Sequence, residues 1–155
     1  MSKELGNELP DDLYRALSAE AAGEASGTAI VVSTIDAEGW AHPALLSAGE
    51  VSARDRRTLR TVTYADSRTT ANMRANGKVT LIFVDERMTY YVKGTAAEAP
   101  SPAGTPEGFA TMDVTVHQVL ADAAGPSEGS ATITSGITFA RAQPLTHNKG
   151  TALDP

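Results

Sequence analysis

The chain has 155 residues, no cysteine and a formal net charge of −6, so disulfide bonds and thiolate chemistry are excluded. A chain of this length can bury a core in one domain, and its acidic balance disfavours nucleic acids and anionic membrane surfaces as partners. We find neither the apolar run of a signal peptide nor a stretch of membrane-spanning length, and therefore expect a cytoplasmic protein.

A short helix is predicted near the N-terminus, over Pro10–Ala22. Leu13, Leu17 and Ala21 recur at four-residue spacing and give the helix one apolar stripe. Gly23 can end it. We expect this helix to pack over one end of a sheet.

From residue 28 onward, β-branched residues and tight turns predict a series of strands. These strands are Thr28–Ile35, Trp40–Val51, Leu59–Tyr64, Lys78–Val84, Met88–Ala96, Asp113–Leu120 and Ala131–Ala140. The turns between them are Asp36–Gly39, Arg54–Arg57 and Asp85–Arg87, with a proline-containing loop over Glu98–Thr105. Short strands at this spacing indicate a sandwich or a barrel, and the pattern alone does not choose between the two.

A second short helix is predicted between the third and fourth strands. Asp66 or Ser67 can cap its beginning, and Met73 faces the core. Asn76 and Gly77 tolerate the left-handed conformation that ends a helix. The sequence thus predicts one domain over residues 10–141, preceded by a flexible segment over residues 1–9 and followed by a polar tail over residues 142–155.

Most familiar site motifs are absent from the sequence. The three histidines, His42, His117 and His147, are far apart and lack the spacing of metal ligands. There is no glycine-rich phosphate loop and no nucleophile elbow. No residue pair identifies a catalytic acid or base.

The informative stretch is Thr61–Thr69, which combines a strand end, a short loop and a helix start. Unpaired backbone N–H groups and the helix dipole attract anions to such a start. Hydroxyls of Thr63, Ser67 and Thr69 can donate to phosphate oxygens, and Arg68 can bind them bidentately. The alternative is a capping serine followed by a solvated arginine, and these residues alone favour that alternative because such caps are common.

The order of these pieces resembles the FMN-binding split barrel of pyridoxamine 5'-phosphate oxidase-like proteins. The resemblance is carried by GTAIVVSTIDAEGWAHPALLS and TLRTVTYADSRTTANMRANGKVTLIFV. It covers residues 10–96 and continues more loosely to Ala140. It implies a mainly β split barrel with a few short helices, an FMN cofactor and a homodimer in which two subunits build each flavin site. It also implies a flavin-dependent oxidoreductase acting on a small-molecule redox substrate.

The resemblance further implies two groups of flavin contacts. The strand before the SR motif and the following helix start hold the phosphate, and the second strand lies along the isoalloxazine ring. The phosphate contacts would be Thr63, Ser67, Arg68 and Thr69. The ring contacts would be Leu45, Leu46 and Ser47, with a backbone contribution from Val62.

Two departures from the family pattern remove cations. Thr69 stands where the oxidases usually have lysine, and His42 and Ser47 stand where basic residues frame the second strand. The substrate-binding Arg-x-His segment of the oxidases is also not found. We therefore expect modest FMN affinity and no useful oxidation of pyridoxamine phosphate. Two alternatives stay open: a split barrel that binds a deazaflavin or haem, and a non-catalytic flavin-binding protein with a stress or regulatory role.

Overall fold

The described part of the chain forms a curled antiparallel sheet with two α-helices packed against it. The computed structural model describes residues 2–18, 27–86, 88–129 and 132–139. The helices are α1 (Asp11–Ala16) and α2 (Arg68–Asn76). The strands are β1 (Ser2–Gly6), β2 (Ala29–Ile35), β3 (Ala41–Ser47), β4 (Val51–Asp55), β5 (Thr58–Tyr64), β6 (Lys78–Asp85), β7 (Met88–Ala99) and β8 (Phe109–Asp122).

The strand order explains why the barrel is split. Seven strands follow one another as β3-β2-β6-β7-β8-β5-β4, and β1 pairs additionally with β8. The two ends of this path, β3 and β4, are consecutive in the chain and are joined by a 3-10 turn over Ala48–Glu50. The sheet therefore curls until its first and last strands come together without pairing, and the predicted split β-barrel is confirmed.

The barrel interior is filled by alternate residues of the strands. On β5, Leu59, Thr61 and Thr63 are buried, whereas the residues between them are more exposed. Leu13 of α1 and Met73 of α2 join the same core. The two helices lie at opposite ends: α1 meets the β7 end at Tyr90, and α2 meets the other end, where the N–H of Ala96 donates to Gly77.

Several predicted boundaries need correction. The first helix is shorter than Pro10–Ala22, because its C-cap is already Leu17; residues 19–22 lie outside the described part. The strand predicted over Trp40–Val51 ends at Ser47, where the chain turns into Ala48–Glu50 so that it can begin β4. The turn predicted over Arg54–Arg57 is narrower, since β4 extends to Asp55 and pairs with Thr58 of β5.

Both termini of the described chain also differ from the expectation. Ser2–Gly6, within the segment expected to be flexible, forms a strand that pairs antiparallel with the last residues of β8. The strand predicted over Ala131–Ala140 is wrong for residues 132–139, which form no strand and make one bridge, Thr28 to Thr138. The backbone contact of this segment with the start of β2 is limited to the surroundings of this bridge, where Ala29 N–H donates to the carbonyl of Ile137 and Phe139 N–H donates to the carbonyl of Gly27. Residues 142–155 lie outside the described residues, and the domain limits stay a prediction.

Candidate functional site

The start of α2 is built as the sequence predicts. Ser67 is the N-cap residue, with extended backbone angles, and its Oγ accepts a hydrogen bond from the N–H of Thr70 at 3.1 Å. At the other end Gly77 adopts φ 70°, the left-handed conformation that ends a helix. The helix start is therefore fixed directly after the end of β5.

Thr70, which the sequence analysis did not single out, is the centre of a hydroxyl network. Its Oγ1 donates to the carbonyl of Tyr64 at 2.8 Å. It also lies 2.7 Å from Oγ1 of Thr63 and 3.0 Å from Oγ of Ser67. A hydroxyl has one proton and two acceptor positions, so Thr63 and Ser67 must both donate to Thr70. Neither of these two hydroxyls keeps a proton for an external anion.

Other donors at the same place are uncommitted. The N–H groups of Arg68 and Thr69 open the helix and have no acceptor within it. In the described part of the chain, the hydroxyl of Thr69 and the exposed guanidinium of Arg68 also have no partner. Arg74, six residues further along the helix, differs because it donates to Glu98 and to the carbonyl of Ala65. These free donors at a positive helix end suit an anion.

A groove of about 920 Å³ lies on the outside of the sheet near the split. Leu45 and Ser47 line it, and Leu45 is 49% exposed. Leu46 points the other way into the core. Both the N–H and the hydroxyl of Ser47 donate to one carboxylate oxygen of Glu50, at 2.7 and 2.9 Å. The end of β3 is thereby held in place beside the groove by Glu50.

Tyr64 connects the groove to the start of α2. Its ring is 61% exposed, lines the groove and lies 4.6 Å from the ring of Phe109, centroid to centroid. Its backbone carbonyl accepts from Ser67 and Thr70. Phe109 is directly opposite Tyr64 in the pairing of β5 with β8, a contact between distant residues that the sequence analysis did not detect.

Seven of the eight predicted site residues therefore fall into three sets. Thr63, Ser67, Arg68 and Thr69 gather around the start of α2, and Leu45 and Ser47 line the groove. Val62 lies between the two on the outer face of β5, half-buried opposite Thr111. Leu46 contributes no side chain to this surface. The residues that sequence reasoning missed are Glu50, Tyr64, Thr70 and Phe109.

Arginines elsewhere on the same face do not replace the missing family cations. Arg60 donates two hydrogen bonds to Asp113, at 2.8 and 3.0 Å, and Arg54 donates a third at 2.9 Å. The hydrogen bond from Arg60 is the main reason that the pKa of Asp113 is lowered. Two guanidinium charges are thus partly neutralised by one carboxylate, whereas Arg68 next to the α2 start has no partner among the described residues.

Metal binding finds no support among the described residues, where no group of three histidines or acidic residues could hold an ion. His42 is half-buried on β3, and Nε2 of His117 bonds to the hydroxyl of Thr95 at 2.8 Å. His147 lies outside the described residues. No described helix is long and apolar enough to cross a membrane.

Fold and site together define a split-barrel protein with a helix start that carries uncommitted donors, beside an open groove with aromatic walls. A family model described as pyridoxamine 5'-phosphate oxidase matches residues 19–132, and the chain belongs to this family. The uncharacterized protein YclD of Bacillus subtilis (strain 168) is 32% identical over 94 residues, which span 61% of this chain and 61% of YclD.

Solved structures share the architecture. A putative pyridoxamine 5'-phosphate oxidase from Lactobacillus delbrueckii superposes with a TM-score of 0.59 at 16% identity, covering 76% of this chain and 98% of the other. An F420 reductase superposes with a TM-score of 0.53 at 13% identity, covering 72% of this chain and 98% of the other. At these identities the likeness establishes the fold, and the site must be argued from its own residues.

Proposed function

We propose that this chain is an FMN-binding oxidoreductase with a small-molecule redox substrate. The observation that carries the proposal is the set of uncommitted donors at the start of α2, linked through Tyr64 to a groove lined by β3. A phosphate at the helix start and a planar ring in the groove would use both features at once. FMN has a phosphate and a planar ring, and it is the cofactor that the family resemblance implies.

Some residues of the chain would contact the phosphate directly, and others would position those that do. Direct contacts would come from the N–H groups of Arg68 and Thr69, the Thr69 hydroxyl and the Arg68 guanidinium. Thr63 and Ser67 would act indirectly, because their protons hold Thr70 and through it the loop. The helix start is thus organised before any anion arrives, which lowers the entropy cost of binding.

The isoalloxazine ring would lie against β3 at Leu45 and Ser47. Leu46 and Val62 would contribute through their backbones, since Leu46 is buried in the core and Val62 is half-buried. When bound, FMN supplies the hydride and electron transfer chemistry, whereas the protein supplies orientation and electrostatics. Glu50, fixed by Ser47, would place a negative charge at the groove rather than a positive one.

A second copy of the chain would complete the site. Leu45, Tyr64 and Phe139 line the groove and are all substantially exposed. Apolar surface of this kind is stabilised when a partner removes it from water. We therefore propose a homodimer, which a mass measurement by light scattering at micromolar concentration tests.

Oxidation of pyridoxamine phosphate is not the proposed activity. The family's lysine is replaced by Thr69, a neutral residue that is 5% exposed. This position therefore supplies no cation to the phosphate-binding region. Formation of pyridoxal phosphate at roughly one turnover per second, an ordinary enzymatic rate, would contradict this part of the proposal.

A deazaflavin is the second candidate cofactor, because an F420 reductase has the same fold. The two candidates, and haem, are separated by the visible spectrum of the purified protein and by mass spectrometry of the material released on denaturation. Reduction of bound flavin by NADH or NADPH then separates an oxidoreductase from a non-catalytic flavin-binding protein, whose flavin would stay oxidised.

The site itself is tested by titrating apo protein with FMN and with riboflavin, which lacks the phosphate. Arg68→Ala removes a charge-assisted hydrogen bond, so FMN should bind about ten- to a hundredfold more weakly. Arg15→Ala is the matched control, since this exposed arginine lies on α1 at the opposite end of the barrel. Riboflavin affinity should be the same in all three proteins. Unchanged FMN affinity in Arg68→Ala would remove the arginine from the site.

A further inference from the structure

A second cavity, of about 230 Å³, lies at the α1 end of the barrel, between that helix and strands β2, β6 and β7. We call it the α1 cavity. Its larger apolar walls are Leu13, Leu17, Ile30 and Phe83. An apolar cavity of about 150 Å³ is already large enough to bind benzene. The α1 cavity therefore has room for a small apolar body.

Two carboxylates accompany these apolar walls. Asp12 accepts the N–H of Leu13 at 2.8 Å with one oxygen and the hydroxyl of Tyr90 at 2.7 Å with the other. Asp85 accepts the N–H of Glu86 with Oδ1, and its second oxygen has no partner in the described chain. No described lysine, arginine or histidine lines the cavity. Among the described residues that line the cavity, no cation therefore offsets the negative charge of the two carboxylates.

Tyr90 does not change the charge of the cavity at physiological pH. Burial, followed by the hydrogen bond to Asp12, raises the pKa of Tyr90 to about 12. The phenol is consequently a neutral donor throughout the physiological range, and it neither adds a negative charge nor neutralises one. An entering molecule meets apolar walls together with two carboxylates.

We propose that the α1 cavity binds a small organic ammonium ion with an apolar body about the size of a benzene ring. The apolar body would contact the walls, and the ammonium would bind the free oxygen of Asp85 near Asp12. An anion would be repelled, and a neutral molecule of the same shape would lack the charge-assisted bond. The cavity adjoins the groove proposed for the flavin ring, since Thr28 and Ala48 line both. The inference is argued from Asp12 and Asp85 at the α1 end and does not depend on flavin binding.

The test uses the full chain and benzylammonium as the probe, measured by calorimetry or by NMR titration. We expect saturable binding in the millimolar range or tighter. Benzyl alcohol, which is neutral, should bind roughly tenfold more weakly because it forms no charge-assisted bond. Benzoate, with the opposite charge, should not bind.

Variants locate the binding. Asp85→Asn should weaken benzylammonium about tenfold, and it leaves the Asp12–Tyr90 bond intact. Asp11→Asn is the matched control, since it removes the same charge from the adjacent helix while Asp11 contacts Arg56 rather than the cavity. Ala16→Leu, at an exposed helix position that lines the cavity, should block binding without disturbing the core.

Melting curves of each variant without the probe confirm that it is folded. The proposal is overturned if benzylammonium shows no saturation, or if benzyl alcohol binds as tightly. It is equally overturned if Asp85→Asn and Asp11→Asn have the same effect. A result in which Ala16→Leu binds like the parent would place the ammonium outside the cavity.

Discussion

Replacing Thr61 with valine should stabilise the protein. Thr61 is fully buried on β5, and in the described chain its Oγ1 is the buried side-chain oxygen without a hydrogen-bond partner. It faces Val51 of β4 and Met112 of β8, so its surroundings are apolar. Thr61→Val keeps the shape of the side chain and removes a hydroxyl that was desolvated without compensation.

The magnitude follows from the cost of an unsatisfied buried polar group, which is about 1–3 kcal/mol. We expect Thr61→Val to raise the free energy of unfolding by that amount. For a chain of this size each kcal/mol corresponds to a rise of about 2–4 °C in Tm. The change does not touch the proposed flavin site, so FMN affinity should stay the same.

Thr63→Val provides the matched comparison two residues further along the same strand. Thr63 is also buried and inward-facing, but its hydroxyl donates to Thr70. The same substitution should therefore lower stability there, by about 0.5–1.5 kcal/mol. The two substitutions change side-chain volume equally on the same strand. The difference in their effects on stability therefore reports the hydrogen bond that only Thr63 forms.

The assay is urea unfolding of the apo proteins, followed by circular dichroism at one fixed protein concentration, since ligands and association shift apparent stability. An increase for Thr61→Val together with a decrease for Thr63→Val is the expected result. If Thr61→Val is destabilised as much as Thr63→Val, the Thr61 hydroxyl has a partner, such as a buried water, and the reasoning is refuted.

Two further substitutions test the sheet. Gly94→Ala should destabilise the protein by about 1–3 kcal/mol, because an added Cβ would lie 2.5 Å from the carbonyl oxygen of Thr115; a urea midpoint equal to the parent's would contradict this close approach. Asp113→Asn removes a carboxylate whose pKa is lowered mainly by Arg60. The charge interactions of Asp113 stabilise the folded protein fully above a pH of about 3.9, the ordinary pKa of an aspartate in the unfolded chain. This stabilisation is lost as the pH falls through the lower pKa of Asp113 in the folded protein. Unfolding curves of parent and Asp113→Asn should therefore differ most above about pH 4 and converge in stronger acid, whereas a constant difference would assign the effect to packing.

Local sequence patterns predicted two kinds of element correctly: strands in which buried and exposed residues alternate, and helices with capping residues at their ends. The strand over Thr28–Ile35 and the α2 helix with its Ser67 cap and Gly77 end are present as expected. Ser2–Gly6 could not be recognised, because every residue in it is exposed and none carries an apolar pattern. Its strand conformation comes from pairing with the edge of β8, which is a tertiary effect.

The candidate site was predictable in position and less so in detail. A helix start after a strand is a local feature, and the gathering of Arg68 and Thr69 there follows from it. The direction of a hydroxyl proton is not local. Thr70 collects the protons of Thr63 and Ser67 only because the loop folds back on the strand end. The pairing of Tyr64 with Phe109 likewise depends on sheet register.

The central position of β8 has a kinetic consequence. This strand spans Phe109–Asp122 and pairs with β7, β5 and β1, so it joins segments from nearly the whole described chain. The contact with Ser2–Gly6 closes a loop of more than a hundred residues, and such non-local pairings slow folding to milliseconds or seconds. During synthesis β4 and β5 can pair with each other, but β1 and the second edge of β5 must wait for β8 to leave the ribosome. Until then these edges are unpaired, and this is the interval in which the nascent chain is most exposed to misassembly.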